Sequence, residues 1–73
     1  RRVSIGDTVR IRYLNKDMNV VQFTISDKET NVSEGIVHFE KPIAKAVLGA
    51  EEGDEVEVLV GSYVRPAVIE SVR

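Results

Sequence analysis

Between Thr8 and Tyr13, apolar Val9, Ile11 and Tyr13 alternate without a fault with polar Thr8, Arg10 and Arg12, the two-residue period of a half-buried strand. Val21, Phe23 and Ile25 set against Gln22, Thr24 and Ser26 predict a second strand of the same kind. The turn-rich connection from Leu14 to Asn19 is short, which favours an antiparallel pair. From Asp27 to Gly35 the chain is polar except for Val32 and shows neither period, so it reads as a surface loop. The short apolar run Ile36-Val37-His38-Phe39 follows it.

One stretch, residues 40–54, reads as helix. Pro42 suits a first helical position, where its missing N–H has no partner to lose, and Gly49 can take the left-handed conformation that ends a helix. At about 100° per residue, Ile43, Val47, Ala44 and Leu48 fall on one side and Lys45 on the other. About two turns are too few to be stable alone, so this face is expected to lie on a sheet, where burying Ile43, Val47 and Leu48 is worth about 1.5–3 kcal/mol each.

Past the helix, Gly53-Asp54-Glu55-Val56-Glu57-Val58 echoes Gly6-Asp7-Thr8-Val9-Arg10-Ile11: a turn glycine and aspartate feed an alternating strand each time. Val56, Val58 and Val60 are expected to face the core, and Gly61-Ser62 to form a two-residue hairpin loop. The returning strand, Tyr63 to Val72, is irregular: Ala67 and Ile69 share one parity, Val68 and Val72 the other. That pattern predicts a bulge or a two-sided strand, and Pro66 predicts an edge position or a bulge. The elements together describe a small α+β domain.

Composition narrows the function classes. Seventy-three residues make one domain near the lower size limit for a self-sufficient core, without a cysteine and with a single histidine, so a Cys/His zinc site is excluded. A net charge of −2 holds no excess of cations for a phosphate backbone, and direct sequence-specific nucleic-acid binding is not expected. No apolar run approaches the ~18 residues of a membrane span and no signal peptide opens the chain, which predicts a soluble, cytoplasmic protein that does not engage a membrane. The chain begins Arg1-Arg2, and a fragment of a longer protein is the expectation.

Candidate chemistry is sparse. His38 lies in a short apolar strand with no nucleophile or orienting carboxylate indicated, and reads as structural. Glu51, Glu52, Asp54, Glu55 and Glu57 crowd together, but Glu55 and Glu57 alternate with core valines and so face solvent. If their strand neighbours the first, they are expected to pair with Arg10 and Arg12 as exposed cross-strand ion pairs. Neither a glycine-rich phosphate loop nor a base-stacking platform is present, since there are only two tyrosines and two phenylalanines and no tryptophan. No cofactor is expected.

Three stretches carry a resemblance: Gly35-Ile36-Val37; then Glu40-Lys41-Pro42-Ile43-Ala44-Lys45-Ala46-Val47-Leu48-Gly49; then Glu52-Gly53-Asp54-Glu55-Val56-Glu57-Val58. Their order and spacing resemble the C-terminal domain of the bacterial transcript-cleavage Gre factors. Ile5-Gly6-Asp7-Thr8-Val9 resembles the lead into that family's first strand, and Val21 to Ile25 its second. The resemblance covers nearly all of the chain. It implies an FKBP-like fold, a twisted antiparallel sheet of about five strands on one short helix, in a single domain over residues 1–73.

By the same resemblance the partner is bacterial RNA polymerase, and the acidic residues that assist transcript cleavage belong to a separate N-terminal coiled coil. The family's contact surface at its Ser-Pro loop maps onto Lys41 and Pro42, flanked by Glu40 and Ile43. Lys41 departs from the family's serine, placing a long cation where a small hydroxyl is expected, and Val37 replaces the serine of its Ile-Ser pair. The implied function is a polymerase-binding module of an elongation factor, not an enzyme. An accessory domain in a larger nucleic-acid enzyme and, at lower rank, an FKBP-type peptidyl-prolyl isomerase are the alternatives.

Overall fold

The computed structural model describes residues 1–15 and 19–73; the middle of the 14–19 connection lies outside them. The elements are β1 (Thr8–Tyr13), β2 (Val20–Ser26), a 3-10 turn (Val32–Glu34), β3 (Ile36–His38), α1 (Pro42–Val47), β4 (Glu55–Val60) and β5 (Tyr63–Val72). They form one five-stranded sheet in the order β3-β2-β1-β5-β4. The β1/β2, β1/β5 and β4/β5 pairs are antiparallel, whereas β3 runs parallel to β2 through Thr24, Ile25 and Ser26. The sheet is therefore mixed, not wholly antiparallel. The reason is the polar loop after β2: at nine residues, with its own 3-10 turn, it carries the chain back before re-pairing, which a tight hairpin cannot do.

The concave face buries Val9, Ile11 and Tyr13 of β1, Phe23 and Ile25 of β2, Val56 and Val58 of β4, and Ala67 and Ile69 of β5. The helix covers it with Ala44 and Val47, both fully buried, while Ile43 and Leu48 are half-buried at its flanks. The small Ala44 lets the helix sit close on the sheet. The expected helix face is thus the right one, rotated toward alanine.

The Gly-Asp echo is a repeated hydrogen-bonded device. In Ser4 to Asp7, the Asp7 N–H donates to the Ser4 carbonyl at 3.0 Å and the Ser4 N–H donates to Asp7 Oδ2 at 2.9 Å. In Glu51 to Asp54, the Asp54 N–H donates to the Glu51 carbonyl at 2.9 Å and the Glu51 N–H to Asp54 Oδ2 at 2.9 Å. Each turn then pairs with one core isoleucine. Gly6 N–H donates to Ile25 O and Ile25 N–H to Asp7 O; Gly53 N–H donates to Ile69 O and Ile69 N–H to Asp54 O. Both glycines have positive φ, 99° and 92°, as the third residue of a type II turn requires. The turns are tied to each other, since Val3 N–H donates to Ala50 O and Gly49 N–H to Val3 O.

Two expectations about charge and proline are corrected. Strand β5 separates β1 from β4, so Arg10 and Arg12 are not cross-strand neighbours of Glu55 and Glu57; both pair instead with Glu70. Glu70 is free to do so because it is the bulged residue: Arg10 faces Ser71 and Ile11 faces Ile69, leaving Glu70 without a partner on β1. The bulge also switches the parity of β5 and returns Val72 to the concave face, which accounts for the irregular pattern in that strand. Pro66 is neither at an edge nor at this bulge. It lies in the interior strand β5, opposite Glu57 of β4, and its carbonyl accepts the Leu14 N–H just past the end of β1. The N–H that proline lacks belongs on that same side, where pairing with β1 stops.

Two outcomes follow from the turns. A Cβ added at Gly53 meets nothing within 4 Å, so Gly53→Ala is expected to cost only its backbone strain, about 1–2 kcal/mol, read by urea unfolding. The Asp7 carboxyl is buried, and the Ser4 N–H lowers it below its ordinary 3.8, opposed by burial and helped by Arg1 and the Ser4 hydroxyl. A depressed carboxyl stabilises the fold fully above that ordinary value and loses the contribution as pH falls through its lower folded value. Asp7→Asn is therefore expected to flatten the acid limb of the stability profile below about pH 4, measured by unfolding at a series of pH values.

Candidate partner-docking site

The approach to the helix is held by His38. Its N–H donates to Thr30 Oγ1 at 2.9 Å, its carbonyl accepts the Lys41 N–H at 3.0 Å, and its Nδ1 accepts the Glu40 N–H at 3.1 Å. The ring is therefore engaged in shaping the turn, with Phe39 packed against it at 4.5 Å between centroids. Lys41 is the N-cap in extended conformation (φ −70°, ψ 148°) and Pro42 opens the helix. Lys41 makes no side-chain cap, so its ammonium extends from an exposed position.

The structure brings three of the four expected site residues together. Lys41, Pro42 and Ile43 form one wall of an open groove of about 470 Å³. Its floor is apolar, built from Tyr13, Val37, Val58 and Val60, and Val32 and Leu59 extend its other walls. Glu40 stands outside this groove. It lines a neighbouring hollow of about 390 Å³ with Lys45, Ala46 and Glu57, and Pro42 and Leu59 belong to both. The site is thus an apolar groove with one cation at its lip, beside a hollow that carries two carboxylates and Lys45.

Sequence reading missed Tyr13, Val32 and Leu59 as site residues, although two of them left a signal. Leu59 occupies the outward parity of β4, after Glu55 and Glu57, and is 54% exposed. Val32 is the lone apolar residue of a polar loop and is 80% exposed. Tyr13 left none, because its alternation with Arg12 marks it only as core. Among the described residues no three His, Cys, Asp or Glu side chains gather as a metal site.

Compared with known proteins, the whole chain, residues 1–73, matches the family described as transcription elongation factor, GreA/GreB, C-term. Transcription elongation factor GreA of Helicobacter hepaticus is 40% identical over 57 residues, which cover 78% of this chain and 35% of that protein. GreA of Sulfurovum sp. is 34% identical over 71 residues, covering 97% of this chain and 44% of that protein. The chain thus spans less than half the length of these relatives. Among solved structures, the transcription factor Gfh1 superposes with a TM-score of 0.84 over the full chain and 48% of its own length, at 17% identity, a likeness of fold. The GreA/GreB factor from Nitrosomonas europaea gives 0.73 at 28% identity, covering 96% of this chain and 58% of its own. The expected five-stranded α+β domain and the match along its full length lead to one conclusion: the chain belongs to the GreA/GreB C-terminal domain family of transcription elongation factors.

Proposed function

We propose that residues 1–73 form a single RNA-polymerase-binding module of a Gre-like elongation factor, docking through Lys41, Pro42 and Ile43 with Glu40 beside them. The observation that carries this reading is the position of those residues: a family match over the whole chain coincides with an exposed helix start that walls an apolar groove. The module acts by binding and not by catalysis. His38 spends its Nδ1 and its backbone groups on the turn, and among the described residues Tyr13 is the one aromatic side chain lining the groove, which argues against an isomerase pocket. The place of action is the bacterial cytoplasm, without a direct nucleic-acid contact; among the described residues no helix is long and apolar enough to cross a membrane.

Lys41 supports a second reading, an accessory domain of a larger nucleic-acid enzyme, because its exposed cation changes the lip where the family carries serine.

Binding to immobilised bacterial core RNA polymerase separates the two. The intact domain is expected to bind at tens of micromolar or tighter, about −6 to −7 kcal/mol. Lys41→Glu with Pro42→Ala is expected to weaken this at least about tenfold, while the unfolding free energy falls by no more than about 1 kcal/mol. No binding by the intact domain in that range sinks the docking role and favours the accessory reading.

A further inference from the structure

We propose that His38 is a proton-operated switch of the turn that starts α1: the neutral ring holds the turn, and protonation at Nδ1 releases it. The inference stands on the turn itself and does not depend on what the helix start binds. Residues 38–41 form one tight turn, closed by the Lys41 N–H donating to the His38 carbonyl at 3.0 Å. Groups that do not titrate anchor it on both sides. The His38 N–H donates to Thr30 Oγ1 at 2.9 Å, the Phe39 N–H to the Ser26 carbonyl at 2.8 Å, and the Lys41 carbonyl accepts the Lys45 N–H at 2.9 Å. Among the backbone N–H groups of the turn, that of Glu40 is the one held by an ionisable acceptor, His38 Nδ1, at 3.1 Å.

That contact fixes the state of the ring. A backbone N–H only donates, so Nδ1 presents its lone pair and the neutral ring carries its proton on Nε2. The arrangement is that of an asparagine or aspartate side chain accepting the N–H two residues on. An asparagine there keeps its acceptor at every pH, whereas an imidazole changes charge between about pH 5 and 8. Once Nδ1 takes a proton it is a donor, and two donors face each other at hydrogen-bond distance. Glu40 Oε1 lies 3.8 Å from Nδ1 on a side chain that is 69% exposed. The Nδ1–H turns to this carboxylate and the Glu40 N–H is left to water. Pro42 has no N–H with which the helix start could replace the lost bond.

The surroundings leave this exchange to His38 and Glu40. Strand β2, packed beside β3, has no ionisable side chain from Val20 to Ser26, the 3-10 turn brings Glu34, and the loop before Thr30 brings Asp27, Lys28 and Glu29. Lys41 is the cation of the turn itself and is exposed. Among the described residues Glu40 carries the one carboxylate paired with a His38 ring nitrogen. The Phe39 ring, 4.5 Å away between centroids, packs against the imidazole and keeps it over the turn.

The test is an NMR titration of the isotope-labelled chain between about pH 7.5 and 5, beside His38→Asn. His38 is the only histidine, so its ring signals are unambiguous. At the upper end the ring is expected to be the Nε2–H tautomer, with a scalar coupling from the Glu40 nitrogen to Nδ1. Toward the lower end the coupling is expected to vanish, and the amide signals of Glu40, Lys41 and Ile43 to move together with the ring. Protection of the Glu40 amide from hydrogen exchange, relative to an unstructured chain at the same pH, is expected to fall about three- to tenfold. In His38→Asn the side-chain oxygen takes the place of Nδ1, and Glu40 is expected to keep its protection throughout. A neutral ring protonated on Nδ1, or Glu40 protection that is unchanged as the ring titrates, overturns the proposal. So does release of Glu40 with Lys41 and Ile43 unmoved, since the helix start is then not switched. Should His38→Asn fail to fold, the tautomer and the coupling in the unaltered chain decide.

Discussion

The rest of the structure depends on the paired Gly-Asp turns. Each turn closes on itself through a reciprocal backbone and carboxylate contact, and each then satisfies both backbone groups of one core isoleucine, Ile25 or Ile69. Those isoleucines are 1% exposed, so an unmade backbone bond there would cost the full desolvation of a buried group. The turns are also joined through Val3, Gly49 and Ala50. The start of β1, the start of β4 and the end of the helix are thereby fixed as one unit. In a cysteine-free chain of 73 residues this does what a staple does in other small domains.

Packing then asks little of the helix. Six residues contribute two fully buried side chains, Ala44 and Val47, and such a helix has no stability of its own. It persists because its N-terminal turn is held by His38 and its C-terminal end by Val3, leaving the apolar face little freedom to move off the sheet. The convex face is held differently, by Glu70 reaching Arg10 and Arg12. Those exposed pairs are worth little individually, about 0.2–1 kcal/mol. The bulge that frees Glu70 matters more for restoring Val72 to the core side.

Much of this was legible in the sequence. The alternation in β1, β2 and β4, the Pro42 start, and the Gly-Asp echo each report a local preference that the fold uses unchanged. The parity break in β5 reported the bulge, though not which residue it expels. What could not be read was strand order. The direction of β3 and the partner of Arg10 depend on which strands meet across the sheet, and a period of two is the same whether a neighbour runs parallel or antiparallel. Pro66 was misplaced for the same reason, since its missing N–H needed only the end of a neighbouring strand. At the candidate site, Lys41 to Ile43 followed from the family resemblance, while the groove beside them is assembled from four segments and has no linear signature.

The groove itself follows from a mismatch of lengths. A six-residue helix rises about 9 Å, whereas the six residues of β4 extend about 20 Å and the ten of β5 further still. The joined turns fix the helix end at the start of β1 and β4, so the uncovered part of the concave face must fall at the far ends, around Tyr13 and Val60. Covering it would take another turn of helix before Pro42, and the turn shaped by His38 precludes that. The same contacts that make the small domain stable therefore leave its opposite end apolar and open, with Lys41, Pro42 and Ile43 at the lip.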